Sequence, residues 1–105
     1  MMVEFSIVPI GKGASFSASL AKALDIVDKS GLTYRIGPMG TVLEGEWDQV
    51  MKVIKACHEK LSLEHERVIT QIKIDDRKGT AHHIDDKVAS IEKKLGHPLK
   101  KLVSE

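Results

Sequence analysis

Cysteine occurs once in these 105 residues, so no intrachain disulfide can staple the fold, and a reducing compartment fits. Aromatic residues are scarce, at 4 %, and the core must be assembled from Ile, Leu, Val and Ala. No apolar stretch approaches the roughly 18 residues that a membrane span needs. The opening Met1-Met2-Val3-Glu4-Phe5 lacks a basic region and sets an acid inside its apolar run, which is not the pattern of a secretory signal. A cytoplasmic location is therefore expected. Neither charge sign dominates: 16 basic residues against 15 acidic ones leave a formal net charge of +1, mixed along the chain. That argues against a dedicated nucleic-acid or membrane surface. Asparagine is missing altogether.

What is present reads as one domain spanning residues 1–105. Val3, Phe5 and Ile7 alternate with Glu4, Ser6 and Val8, the period of a half-buried strand that ends at Pro9. Gly11-Lys12-Gly13 follows as a loop. A helix capped by Ser15 or Ser17 carries Phe16, Leu20, Leu24 and Val27 on one face and stops at Gly31. Residues 33–36 and 41–45 are two strands joined by the turn Gly37-Pro38-Met39-Gly40, hence a hairpin. A second helix opens near Trp47 and turns Val50, Ile54, Cys57 and Leu61 inward. Residues 68–75 form a strand rich in β-branched side chains. A third helix, about 84–95, bears the stripe Ile84, Val88, Ile91 and Leu95 and ends at Gly96.

The order β-α-β-β-α-β-α predicts an α+β fold of the ferredoxin-like βαββαβ kind. Its four-stranded antiparallel sheet has two helices on one face, and a C-terminal third helix is added. Right-handed crossovers place the first and third strands in the middle. The second sheet face carries Glu4, Ser6, Val8, Gln71 and Lys73, a mixed set. A second copy of the chain is expected to cover it, and polar residues enclosed at such an interface need partners that a small ligand can supply.

Other tenants of this fold are excluded by residue type. An acylphosphatase needs an Arg in the first loop and an Asn on the hairpin strand. A heavy-metal domain needs Cys-x-x-Cys, and an RNA-recognition module needs aromatics on the open face. None of these is present. His82-His83 beside Asp85-Asp86 reads as a solvated helix start, since adjacent histidines point apart and no cysteine is near. His58, His65 and His97 are isolated, Cys57 is a core residue, and Asp75-Asp76 is a turn-capping pair. No catalytic residue, metal site or cofactor is assigned. Glu44, in a strand beside Gly45, is the exception: a carboxylate there needs a partner.

Three segments together resemble one family. They are Ser6-Ile7-Val8-Pro9-Ile10-Gly11, the hairpin Tyr34-x-x-x-Pro38-Met39-Gly40-Thr41-x-Leu43-Glu44-Gly45, and Thr70-x-Ile72-Lys73-Ile74-Asp75-Asp76-Arg77. The resemblance, over about residues 2 to 95, is to the small thiamine-binding family. It implies homodimers or homotetramers assembled through their sheets, and non-catalytic binding of thiamine or its hydroxymethylpyrimidine moiety at or near a subunit interface on the sheet. A structural or regulatory homo-oligomer without a ligand is the alternative. On this reading Ser6, Thr41 and Glu44 contact the ligand, and Tyr34 and Gly40 shape the pocket. Thr41 and Glu44 differ in parity, so a regular strand points them to opposite faces and only a bulge would unite them.

Overall fold

The computed structural model describes residues 1–13, 16–79 and 83–100. The chain runs β1 (Met2–Gly13), α1 (Phe16–Lys29), β2 (Thr33–Ile36), β3 (Thr41–Glu44), α2 (Trp47–Ser62), β4 (His65–Asp75) and α3 (Asp86–Leu95). The four strands make one antiparallel sheet in the order β2-β3-β1-β4, so β1 and β3 are central as expected and the fold is ferredoxin-like.

One sheet face carries Val3, Phe5, Ile7 and Leu43, all buried beneath α1 and α2. The apolar row expected of the second helix holds, with Val50, Ile54, Cys57 and Leu61 inside. A capping box starts that helix: the Gln49 side chain accepts the Glu46 N–H at 3.1 Å. The first helix departs from expectation. Its buried residues are Ser19, Ala23 and Val27. Phe16 is 52 % exposed, and Leu20 and Leu24 are only half-buried. Small residues let α1 approach α2 closely, and the Cys57 thiol donates to the Ala23 carbonyl at 3.3 Å across that contact. The bulky row is thereby turned toward the end of the sheet.

β1 and β4 are both longer than the sequence pattern suggests. The expected loop Gly11-Lys12-Gly13 continues the strand: pairing runs to Ile10 opposite Arg67, shifts, and resumes at Gly13 opposite His65. Gly11, at φ 101°, absorbs the shift, a conformation open to glycine. Ser15, one of the two expected helix caps, and His82 lie outside the described residues. Ser17 falls within the first turn of α1 rather than at its cap.

α3 buries none of its residues. Polar links tether its start to the hairpin, where Arg35 and Asp85 pair at 2.7 Å and the Ile84 N–H donates to Glu44 at 2.7 Å. Ile91 and Leu95 of its apolar stripe are exposed. Among the described residues no helix is long and apolar enough to cross a membrane.

Candidate functional site

The chemistry of this sheet is concentrated where β3 stops short. β3 pairs with β1 only from Glu44 opposite Met2 to Thr41 opposite Phe5. The Gly45 N–H donates to the Met1 carbonyl at 3.0 Å. In an antiparallel ladder the backbone groups of successive residues point to alternate sides. The peptide groups of Met1, Val3, Phe5, Ile7 and Pro9 therefore face β3, and those of Met2, Glu4, Ser6 and Val8 face β4. Beyond Phe5 the hairpin turns away: the Gly37 N–H takes the Gly40 carbonyl at 2.9 Å, closing the turn on itself. The N–H and C=O of Ile7 are left facing a gap where a β3 residue would otherwise stand.

That gap is a cleft of about 360 Å³. Phe16, Leu20 and Leu24 of α1 wall one side, and the turn from Gly37 to Thr41 walls the other. Ser6, Ile7 and Gln71 line the sheet side. Around the edge of β1 it continues into a shallow depression of about 410 Å³ on the open face, lined by Glu4, Ser6, Met39, Gln71 and Lys73. Its walls are mostly apolar side chains, and Ser6, Thr41 and Gln71 are the polar side chains among them.

Of the five residues singled out from the sequence, the structure brings Ser6, Gly40 and Thr41 together on this cleft. Thr41 is 6 % exposed. β3 carries no bulge, so the parity argument holds: Thr41 turns to the helix side and Glu44 to the other. Tyr34 is buried on the helix face, and its hydroxyl donates to Asp28 at 2.6 Å. Glu44 is engaged by the start of the third helical segment, with the Ile84 N–H on Oε1 at 2.7 Å and His83 Nδ1 beside Oε2 at 3.1 Å. Neither Tyr34 nor Glu44 lines the cleft.

Sequence reasoning missed several contributors. The sequence pattern puts Phe16, Leu20 and Leu24 on one apolar helix face, Met39 in a turn and Gln71 on the second sheet face, and none of these marks a cleft. Glu4 lines the adjoining depression, and a Cβ built on Gly40 would lie 3.4 Å from Glu4 Cγ and 3.1 Å from the Phe5 carbonyl oxygen. A glycine-rich turn was legible as a turn. That its glycine lets the turn press against β1 depends on register, which the sequence does not print.

The histidines are not all isolated. His58 Nδ1 meets Thr70 Oγ1 at 2.6 Å, tying α2 to β4. His65 Nε2 meets Ser19 Oγ at 2.6 Å, tying β4 to α1. Ser19 is wholly buried, so this pair joins elements and does not present a nucleophile. Cys57 is buried as expected, and burial pushes its thiol up to about 11. Lys22 holds Glu64 in an ion pair and keeps its carboxyl below the usual range. Among the described residues no three His, Cys, Asp or Glu side chains are grouped to hold a metal ion.

A ferredoxin-like sheet with a half-apolar cleft at the open end of a central strand defines a class of small α+β proteins suited to holding a compact guest. The model of the thiamine-binding protein family matches residues 3–92, and the chain belongs to that family. A UPF0045 protein of Methanocaldococcus jannaschii is 40 % identical over 91 residues, covering 87 % of this chain and 91 % of its own. The crystal structure of that protein superposes with a TM-score of 0.78 at 39 % identity, over 86 % of this chain and 93 % of its own. A Thermotoga maritima protein, a candidate for thiamine biosynthesis or salvage, superposes with a TM-score of 0.75 at 26 % identity, over 86 % of this chain and 96 % of its own. A UPF0045 protein of Bacillus subtilis is 32 % identical over 100 residues, covering 90 % of this chain and 96 % of its own.

Proposed function

We propose that this protein binds thiamine or its hydroxymethylpyrimidine moiety without transforming it, in the cleft beside the open edge of β1. The observation that carries the reading is the meeting of Ser6, Gly40 and Thr41 on an apolar-walled cleft in a chain of the thiamine-binding family. Hydroxyls from Ser6 and Thr41 supply hydrogen-bonding groups of either polarity for a heteroaromatic ring. Leu20, Leu24 and Phe16 supply the apolar contact. The adjoining depression, with Glu4 at its rim, suits the cationic thiazolium, for which a nearby carboxylate is favourable.

Self-association belongs to the same proposal. The open face carries Val8, Ile10 and Ile69 as exposed apolar side chains beside the depression. A second copy covering this face would enclose the ligand at a subunit boundary.

Calorimetry with thiamine and with the free hydroxymethylpyrimidine tests the reading. Both are expected to bind the wild type. Thr41→Val is expected to weaken both by about five- to tenfold, the worth of one hydrogen bond. Glu4→Gln is expected to weaken cationic thiamine and leave the neutral pyrimidine unchanged. No measurable heat from either compound would remove the proposal and leave a structural homo-oligomer.

A further inference from the structure

We propose that Met39 is a reversible oxidation site: a hydroperoxide converts its thioether to the sulfoxide, and the added oxygen lowers the affinity of the cleft for its guest. The effect on the guest rests on the binding reading above; the choice of sulfur does not.

The sulfur atoms of the chain belong to Met1, Met2, Met39, Met51 and Cys57. Cys57 is fully buried, and its thiol, held up to about 11, stays protonated at neutral pH and is a poor nucleophile. Met1, Met2 and Met51 are half-buried, and Met1 and Met51 pack against the core. Met39 is 88 % exposed. Sulfur and peroxide must touch to react, so exposure selects Met39.

Its position gives that reaction a consequence. Met39 lines both the cleft and the adjoining depression. The turn that carries it is braced: Pro38 fixes its own φ, the Gly37 N–H donates to the Gly40 carbonyl at 2.9 Å, and Gly40 has no room for a Cβ before the Phe5 carbonyl oxygen. The backbone of Met39 is thereby kept where the two hollows join. The reduced side chain offers soft apolar surface there. Ser6, Gln71 and Lys73 line the same depression, and their hydroxyl, amide and ammonium groups are hydrogen-bond donors. A sulfoxide oxygen is an acceptor. Oxidation therefore replaces an apolar lip by a polar one that competes with the guest for these donors.

The step balances with the peroxide as oxidant. A lone pair on Met39 Sδ attacks one peroxide oxygen, the O–O bond breaks, the S–O bond forms, and the other oxygen leaves as water or an alcohol. Sulfur loses two electrons and the peroxide gains them. A thiol-dependent sulfoxide reductase reverses it: two thiols become a disulfide, and the oxygen leaves as water.

The intact protein is treated with graded hydrogen peroxide at neutral pH, and each sulfur is followed by peptide mass spectrometry. Thiamine affinity is measured by calorimetry before treatment, after it, and after reductase repair. Met39 is expected to gain one oxygen at least about tenfold faster than Met51 or Cys57. Thiamine is expected to bind at least about fivefold more weakly to the oxidised protein, and repair should restore the starting value. Met39→Leu, whatever its own starting affinity, should lose none of it on peroxide treatment. Oxidation of Met51 or Cys57 as fast as Met39 overturns the inference. So does an unchanged thiamine affinity once Met39 is oxidised, or an equal loss in Met39→Leu; each of these leaves the protein a thiamine binder. Untreated protein that binds no thiamine removes the broader reading and the switch with it.

Discussion

At the scale of single residues, burial and close approach make definite claims. Burial holds the Cys57 thiol at about 11, against an ordinary 9.0. A pKa raised by folding gives a contribution complete below the unfolded value and lost as pH climbs toward the folded one. The urea midpoint of the wild type should therefore fall between pH 9 and 11, and that of Cys57→Ala should fall less over the same range, starting from a lower value. The native thiol should also resist alkylation at neutral pH. Gly40 is the second case. An added Cβ meets the Phe5 carbonyl oxygen at 3.1 Å, an atom of the central strand that cannot swing aside. Gly40→Ala should cost about 1 kcal/mol in chemical denaturation and weaken ligand binding more than it weakens the fold. Ser19 is the third. Its hydroxyl is buried against His65 Nε2, while His65 Nδ1 has no hydrogen-bond partner among the described residues. Ser19→Ala strips the ring of a buried partner and should cost about 1–3 kcal/mol.

At the scale of elements, the informative contrast is between α2 and α3. Both have amphipathic sequences. The row Val50, Ile54, Cys57 and Leu61 was readable and is buried, because α2 lies across the sheet between two strands it must connect. The row Ile84, Val88, Ile91 and Leu95 was equally readable and is not buried, because the helix layer is already filled and α3 has only the hairpin edge to hold. Its tether is polar and partly exposed, and such pairs contribute about 1 kcal/mol or less. Glu44→Ala should speed amide exchange in the first turns of α3 by about fivefold while shifting global stability by less than about 1 kcal/mol, as read by hydrogen-exchange mass spectrometry. The same contrast explains α1. Period alone favoured its bulky row for the core, but helix-on-helix contact selected the row of small residues and left Phe16, Leu20 and Leu24 to wall the cleft.

At the scale of the molecule, an antiparallel sheet covered on one face leaves the other to water or to a partner. Here that face mixes Glu4, Ser6, Gln71 and Lys73 with exposed Val8, Ile10 and Ile69. Sedimentation should give two or four times the chain mass of 11.6 kDa. Ile69→Lys, which puts a charge into the apolar patch, should return the protein to its single-chain mass with its helical circular dichroism intact. A wild type that sediments at one chain mass would limit the ligand site to a single subunit.

The order of elements, the hairpin turn, the alternation of β1 and the family were all legible from local pattern, because period, turn chemistry and short motifs are properties of neighbouring residues. Ser6, Gly40 and Thr41, three of the five residues singled out from the sequence, meet on the cleft. What tertiary structure alone decided was length and register: that β3 ends opposite Phe5, that Pro9 turns its missing N–H to the same side, and that the Glu44 carboxylate is taken by His83 and Ile84 just ahead of α3 while Glu4 lines the depression beside the cleft. These follow from which strand stops where. That is fixed by the packing of the whole sheet against its helices, and no single segment of the chain encodes it.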